Sequence, residues 1–193
     1  FTFDEKTKSC KGLYLFSSNV SINGCTFIKC GINTLYINVY SASTDAIFQL
    51  TNNIVENNNN NFILINNLKS KPIINGNIFR DITITSGNLI SINHNQDEIL
   101  LYNNSFTGIT SNNGDAFGGS LSSLFPRENN EYYSIIYEKC NFINMFNSNT
   151  QTPYNQGGAI QYGYNISISN VSMTFEECQF KGNKCPNGRG GAL

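Results

Sequence analysis

A nine-residue pattern recurs six times along this chain without a gap, and it limits the possible fold more than any other feature. Its copies end at six anchor residues: Phe27, Val55, Phe79, Phe106, Phe142 and Phe180. A partial seventh copy is predicted around Phe3, and neighbouring anchors lie 24 to 38 residues apart. Repeats of this length indicate a solenoid, in which each repeat forms one coil.

The alternation of side chains within each copy predicts two short β-strands around a corner. Apolar residues usually stand seven and five positions before the anchor, as Val20 and Ile22 do in the first full copy. Because every second side chain of a strand points to one face, these positions are predicted to point inward. The pair Asn75-Gly76, which comes next in the third copy, is typical of a tight turn.

A further strand is predicted between successive anchors, at residues 34–39, 62–65, 88–92, 118–121, 157–160 and 190–193. Helical periodicity is absent, which excludes the α-solenoid classes. We therefore predict an all-β fold: a right-handed, single-stranded parallel β-helix of about six to seven coils with uncapped ends. The right-handed sense follows from the general preference for right-handed crossovers. Residues 1–193 are expected to form a single segment of a larger protein or filament.

Two four-residue motifs near the C-terminus suggest a family. The sequences Gly157-Gly-Ala-Ile160, Gly190-Gly-Ala-Leu193, Phe146-Asn-Ser-Asn149 and Phe180-Lys-Gly-Asn183 resemble the repeats of polymorphic outer-membrane proteins, adhesive β-helix surface proteins. This resemblance covers mainly residues 106–193. It implies an extracellular β-helix with an adhesive or structural role and without catalytic residues.

One inward position combines asparagine with cysteine. The residue two places before the anchor is Asn53, Asn77 and Asn104 in three successive copies, and Cys25, Cys140 and Cys178 in the others. Stacked asparagine amides can hydrogen-bond to each other along the stacking axis. We therefore predict a structural asparagine ladder, in preference to a ligand site built from the same residues.

The cysteines of this column are expected to be buried and to behave as small apolar side chains. Stacking at one strand spacing would permit a disulfide between Cys140 and Cys178 without favouring it. The six cysteines contain no CxxC pair, and the chain has one histidine, so no zinc or other metal site and no cofactor is expected.

Composition narrows the range of partners. The net charge is -1 and 13% of the residues are charged, so the chain lacks the basic field that attracts nucleic acid. No apolar run reaches the roughly 18 residues that a membrane span requires. Four N-glycosylation sequons begin at Asn19, Asn103, Asn165 and Asn170, all outside the predicted core, and are consistent with an extracellular or cell-surface location.

An enzyme is the alternative hypothesis, because parallel β-helices host polysaccharide lyases and glycoside hydrolases, which need clustered carboxylates. Stacking is predicted to place Glu138 beside Glu176 and Lys139 beside Glu177. The same arrangement is typical of a solvated corner with compensating charges. We therefore expect no catalytic residues, and favour a structural or adhesive module of a secreted or cell-surface protein.

The ends and the loops are the predicted contact surfaces. Further coils, or other copies stacked end to end, are expected to adjoin both ends, because an open coil exposes strand edges and core. The longer late coils predict loops near residues 111–116, 125–132, 147–156 and 162–170. Loop aromatic residues are candidates for contact with a host or matrix protein or a glycan, or alternatively for packing the loops onto the β-helix: Phe125, Tyr132, Tyr154, Tyr162 and Tyr164.

Overall fold

A computed structural model describes residues 2–4, 13–16, 19–30, 35–38, 47–58, 63–68, 72–85, 89–94, 98–111, 123–126, 133–148, 159–160 and 171–186. Every strand within these ranges runs parallel to its neighbours. These ranges contain strands and turns but no helix, and hence no helix that could cross a membrane.

The strands in chain order are β1 (Thr2–Asp4), β2 (Leu13–Phe16), β3 (Val20–Asn23), β4 (Thr26–Ile28), β5 (Leu35–Asn38), β6 (Phe48–Thr51), β7 (Ile54–Glu56), β8 (Ile63–Leu68), β9 (Ile73–Asn75), β10 (Ile78–Arg80), β11 (Thr83–Ile84), β12 (Ile90–His94), β13 (Glu98–Tyr102), β14 (Ser105–Thr107), β15 (Thr110–Ser111), β16 (Ser123–Pro126), β17 (Tyr133–Glu138), β18 (Asn141–Ile143), β19 (Phe146–Asn147), β20 (Val171–Glu176) and β21 (Gln179–Lys181).

These strands form four stacked sheets. The anchor residues lie in a seven-stranded sheet with the order β1-β4-β7-β10-β14-β18-β21. The strands before the corner form a six-stranded sheet, β20-β17-β13-β9-β6-β3. A five-stranded sheet, β16-β12-β8-β5-β2, and a three-stranded sheet, β11-β15-β19, complete the coils. The chain is thus a parallel β-helix, as the repeat predicts, while its right-handed sense stays a prediction.

The strand register confirms the gapless alignment. Phe79 is paired with Phe106, Phe106 with Phe142, and Phe142 with Phe180. Their rings stack with centroids 5.0, 5.3 and 4.8 Å apart. Such stacks of large aromatic rings supply apolar burial along the axis of the β-helix. Phe3 pairs with Phe27, so the partial seventh copy also lies in register.

Two corners with left-handed backbone flank every anchor strand from β4 onward. The residues with positive φ three places before the anchors are Gly24, Asn52, Gly76, Asn103, Lys139 and Glu177. Those two places after the anchors are Lys29, Asn57, Asp81, Gly108, Asn144 and Gly182. Glycine, asparagine and aspartate tolerate this conformation best, and they occupy nine of these twelve positions. The left-handed backbone conformation therefore recurs at the same two positions of each coil, even though the residue types vary.

The strands between anchors differ from prediction in their bounds. The strand predicted at residues 118–121 lies outside the described ranges, and the strand described next in that coil is β16, whose Leu124 pairs with Ile92 of β12. In-register pairing with the preceding coil holds β16 in place. Residues 159–160 are described and are not in a strand, whereas residues 157–158 and 190–193 lie outside the described ranges.

A short strand after the second corner was not predicted. β15 and β19 belong to it, and their Ser111 and Asn147 side chains are buried. The segments predicted as loops from residues 111 and 147 therefore begin with paired strand residues, Ser111 and Asn147. The reason is that the chain after the second corner still pairs with the neighbouring coil: the Asn147 N–H donates to the Lys184 carbonyl at 2.9 Å.

Candidate functional site

The asparagine ladder lies at the first corner and joins three coils. The Asn53 amide Nδ2 donates to Oδ1 of Asn77 at 3.0 Å, and the Asn77 Nδ2 donates to Oδ1 of Asn104 at 2.9 Å. All three side chains are fully buried. The predicted ladder is confirmed for these three residues.

The same amides also hold the backbone. Oδ1 of Asn77 accepts the backbone N–H of Asn53 at 3.0 Å, while the Asn77 Nδ2 donates to the Leu50 carbonyl at 2.8 Å. Each ladder residue thus satisfies backbone groups that the corner removes from the sheet. Burial without these bonds would cost free energy at every coil.

Cys140 takes part in the ladder through its sulfur. Its Sγ lies 3.2 Å from the Leu101 carbonyl oxygen and 3.4 Å from that of Glu138. The equivalent carbonyls of the previous coil accept the Nδ2 of Asn104, so the thiol replaces the amide as donor. Burial raises the pKa of Cys140 to about 11, and the backbone N–H of Asn104, bonded to the sulfur, opposes this rise. A buried thiol of this kind is an inert structural group.

The other two cysteines of the column are less enclosed than predicted. Cys25 and Cys178 are only half-buried. The Cys178 Sγ lies 3.2 Å from the Tyr137 carbonyl oxygen, and burial raises its pKa. Cys140 and Cys178 are both free thiols, so the disulfide that stacking would permit is not formed.

A second asparagine position, three residues after the anchor, was missed. Oδ1 of Asn58 accepts the backbone N–H of Cys30 at 2.7 Å. Oδ1 of Asn183 accepts that of Met145 at 2.9 Å, and its Nδ2 donates to the Phe142 carbonyl at 3.0 Å. Both residues follow a left-handed corner residue directly, as the ladder residues do. The sequence signal that could have identified them is an asparagine three residues after the anchor, directly behind a residue that tolerates a left-handed turn.

The sequon asparagines that are described lie at the surface. Asn19 is exposed, and its Oδ1 accepts the backbone N–H of Ile47 in the next coil at 2.8 Å. Asn103 is exposed at the first corner with φ of 52°. Asn165 and Asn170 lie outside the described ranges.

Of the five candidate binding aromatic residues, only Phe125 lies within the described ranges. Phe125 lies in strand β16, where it pairs with Asn93 of β12, and so it is not in a loop as predicted. Pairing with β12 extends the strand to Pro126, into the segment that the coil length had suggested as an insertion. Tyr132, Tyr154, Tyr162 and Tyr164 lie outside the described residues.

The predicted stacking of charges at the corner is present. Glu138 pairs in register with Glu176, and the Lys139 Nζ lies 3.2 Å from Oε1 of Glu138. The hydrogen bond with Glu138, followed by that with the Tyr102 hydroxyl at 3.3 Å, raises the pKa of Lys139. Within the described ranges, no three His, Cys, Asp or Glu side chains cluster closely enough to hold a metal ion.

An apolar groove lies on the outer face of the six-stranded sheet. It has a volume of about 350 Å³ and is lined by Pro72, Ile73, Ile74, Asn75, Leu100 and Tyr102. Ile73, Leu100 and Ile136 are register partners in three successive coils and form an outward aliphatic column, in which Ile73 is 43% exposed. This column was not predicted, because the repeat pattern defines the inward positions and leaves the outward residues variable.

No protein-family model matches this sequence, and neither the curated proteins nor the solved structures yield a significant match.

Proposed function

We propose that this chain is a structural or adhesive β-helix module of a secreted or cell-surface protein, and that it stacks end to end with further coils or other copies. The proposal includes an extracellular location, which the exposure of Asn19 and Asn103 supports. The resemblance to the repeats of polymorphic outer-membrane proteins remains part of the same proposal.

The observation that carries the proposal is the burial pattern of the coil that contains β20 and β21. Its inward residues Phe175 and Phe180 are only partly buried. Their register partners in the preceding coil, Tyr137 and Phe142, are fully buried. An apolar cross-section of this kind gains free energy when another coil covers it, at about 25 cal/mol per Å² of apolar surface buried.

Sedimentation velocity of the 193-residue chain over a wide concentration range tests the stacking. We expect concentration-dependent association, and we expect Phe175→Asp to abolish it by placing a charge in the contact. The matched control is Thr174→Asp on the same strand, whose side chain points to the opposite face. A parent chain that remains monomeric at high concentration would contradict the proposal, whatever the variants do.

The loops supply the adhesive part of the proposal. Anchor spacing rises from 24 residues between Val55 and Phe79 to 38 between Phe142 and Phe180, while the strand register is kept. We therefore propose that the additional residues leave the coil as loops. Loops carried on one side of a solenoid often form its binding surface, and Tyr154, Tyr162 and Tyr164 stay the candidates there.

A further inference from the structure

We propose that Asn103 is an N-glycosylation site and that its glycan covers the apolar groove beside it. This inference rests on the proposed extracellular location, and it concerns a site that the ladder and the stacking do not use.

The first corner presents the Asn103 side chain to solvent. The left-handed backbone at Asn103 is fixed by its N–H, which donates to the Glu138 carbonyl at 2.8 Å. The exposed side chain forms no hydrogen bond with another residue of the described ranges. At the same corner two coils earlier, by contrast, the Asn52 Nδ2 donates to Oδ1 of Asn23 at 3.1 Å. The Asn103 amide is therefore available for modification without loss of a structural contact.

Exposed and buried residues follow each other in the sequon. Asn103 is exposed although corner residues stack on both sides of it: Gly76, whose side-chain space is occupied by Oδ1 of Asn52, and Lys139. The Asn104 amide, one residue further along, is fully buried in the ladder. The sequon Asn103-Asn104-Ser105 thus alternates an exposed acceptor with a buried residue and a partly exposed serine.

The chemistry is the transfer of an oligosaccharide to an amide. The Asn103 Nδ2 attacks the anomeric carbon of a diphosphate-linked oligosaccharide donor, forming the N–C bond. The bond from that carbon to the diphosphate oxygen breaks, the diphosphate leaves with the electron pair, and Nδ2 loses one proton. The enzyme that performs this step acts on Asn-x-Ser/Thr sequences of secreted chains.

The groove provides a reason for a glycan at this corner. Tyr102 lines the groove and directly precedes Asn103. The aliphatic column of Ile73, Leu100 and Ile136 extends across the same outer face. An exposed apolar column on a sheet face is a site of nonspecific association, and an attached sugar would cover it.

Two variants of Ser105 test the site while keeping Asn103 and its backbone. Ser105→Ala removes the sequon, and Ser105→Thr preserves it at the same outward position of β14. The chain is expressed behind a secretion signal in eukaryotic cells, and the peptide that contains residue 103 is analysed by mass spectrometry. We expect glycan on the parent and on Ser105→Thr and none on Ser105→Ala. Unmodified Asn103 in folded, secreted parent protein would overturn the assignment.

Because the secretion signal supplies the compartment, that negative result counts against the site and not against the proposed location of the natural protein. Whether the glycan covers the groove is tested separately, by the binding of a fluorescent hydrophobic dye to the exposed apolar surface. We expect Ser105→Ala to bind at least twofold more dye than the glycosylated Ser105→Thr protein. Equal dye binding would refute the covering of the groove.

Discussion

At the scale of single residues, the buried amides and thiols of the first corner perform the same task. Asn104 and Cys140 occupy equivalent positions in adjacent coils, and both approach the carbonyls of the strand before the corner. Asparagine also offers an acceptor oxygen that receives a backbone N–H from the previous coil. A buried residue at this position must therefore satisfy a carbonyl on one side and an N–H on the other.

Asn77→Leu is expected to lower the free energy of unfolding by about 2–4 kcal/mol, because buried polar groups lose their partners. The backbone N–H of Asn53 loses its acceptor and the Leu50 carbonyl loses its donor. Urea unfolding followed by circular dichroism measures the change. The control is Asn75→Leu, on the outer face of the same coil, which should change stability by less than about 0.5 kcal/mol. Equal losses in the two variants would exclude a special role for the ladder.

At the scale of elements, the corners depend on contacts between coils as well as on backbone conformation. Gly24 and Gly76 both have φ near +65°. A Cβ at Gly24 would meet nothing within 4 Å, whereas one at Gly76 would lie 2.6 Å from Oδ1 of Asn52 in the preceding coil. A Cβ at Gly108 would likewise lie too close to Oδ1 of Asp81, and one at Gly182 would lie too close to Oδ1 of Asn144. Glycine at these corners therefore makes room for a neighbouring side chain.

Gly76→Ala should consequently destabilise the fold more than Gly24→Ala does. In both variants the free energy of unfolding falls by about 1–2 kcal/mol, because alanine disfavours the left-handed backbone. In Gly76→Ala it falls by a further ~1–3 kcal/mol, because the new Cβ lies too close to Asn52. Thermal melting of both variants measures the difference. Adding Asn52→Gly to Gly76→Ala should remove the excess, since it deletes the clashing atom. If the excess persists in the double variant, contact between the corners is not its cause.

At the scale of the whole molecule, stacking keeps the register constant while coil length varies. The Met145 N–H donates to Oδ1 of Asn183, which lies 38 residues further along the chain, at 2.9 Å. The Asn53 N–H donates to Oδ1 of Asn77, only 24 residues further along, at a similar distance of 3.0 Å. Long loops are tolerated in such a fold because the free-energy cost of closing a loop rises only slowly with its length. The later coils can therefore carry insertions without disturbing the core.

Replacing residues 149–156 with a short turn should leave the fold intact, with a change in unfolding free energy below about 1 kcal/mol. The matched deletion of residues 147–154 also removes the buried Asn147 and the half-buried Ser148, whose N–H groups donate to the Lys184 and Ser111 carbonyls. This control should lose about 2–4 kcal/mol. Melting temperatures distinguish the two. An equally severe loss in both variants would show that the β-helix extends beyond residue 148.

The inward columns, the first corner and the ladder at Asn53, Asn77 and Asn104 could be predicted from the sequence alone. These features repeat locally with a strand period of two, so a gapless alignment reveals them. The parallel β-helix follows, because short strands of this kind bury an apolar face by stacking on the next coil.

Other contacts between coils are seen in the three-dimensional structure and do not follow from the alignment of the copies. The groove beside Tyr102, the approach of Asn52 Oδ1 to Gly76, and the burial of Ser111 and Asn147 depend on neighbours far away in sequence. The pairing of β16 with β12 likewise joins segments far apart in the sequence. Hydrogen bonding between coils fixes these features, and that pairing carries no local signal in the sequence.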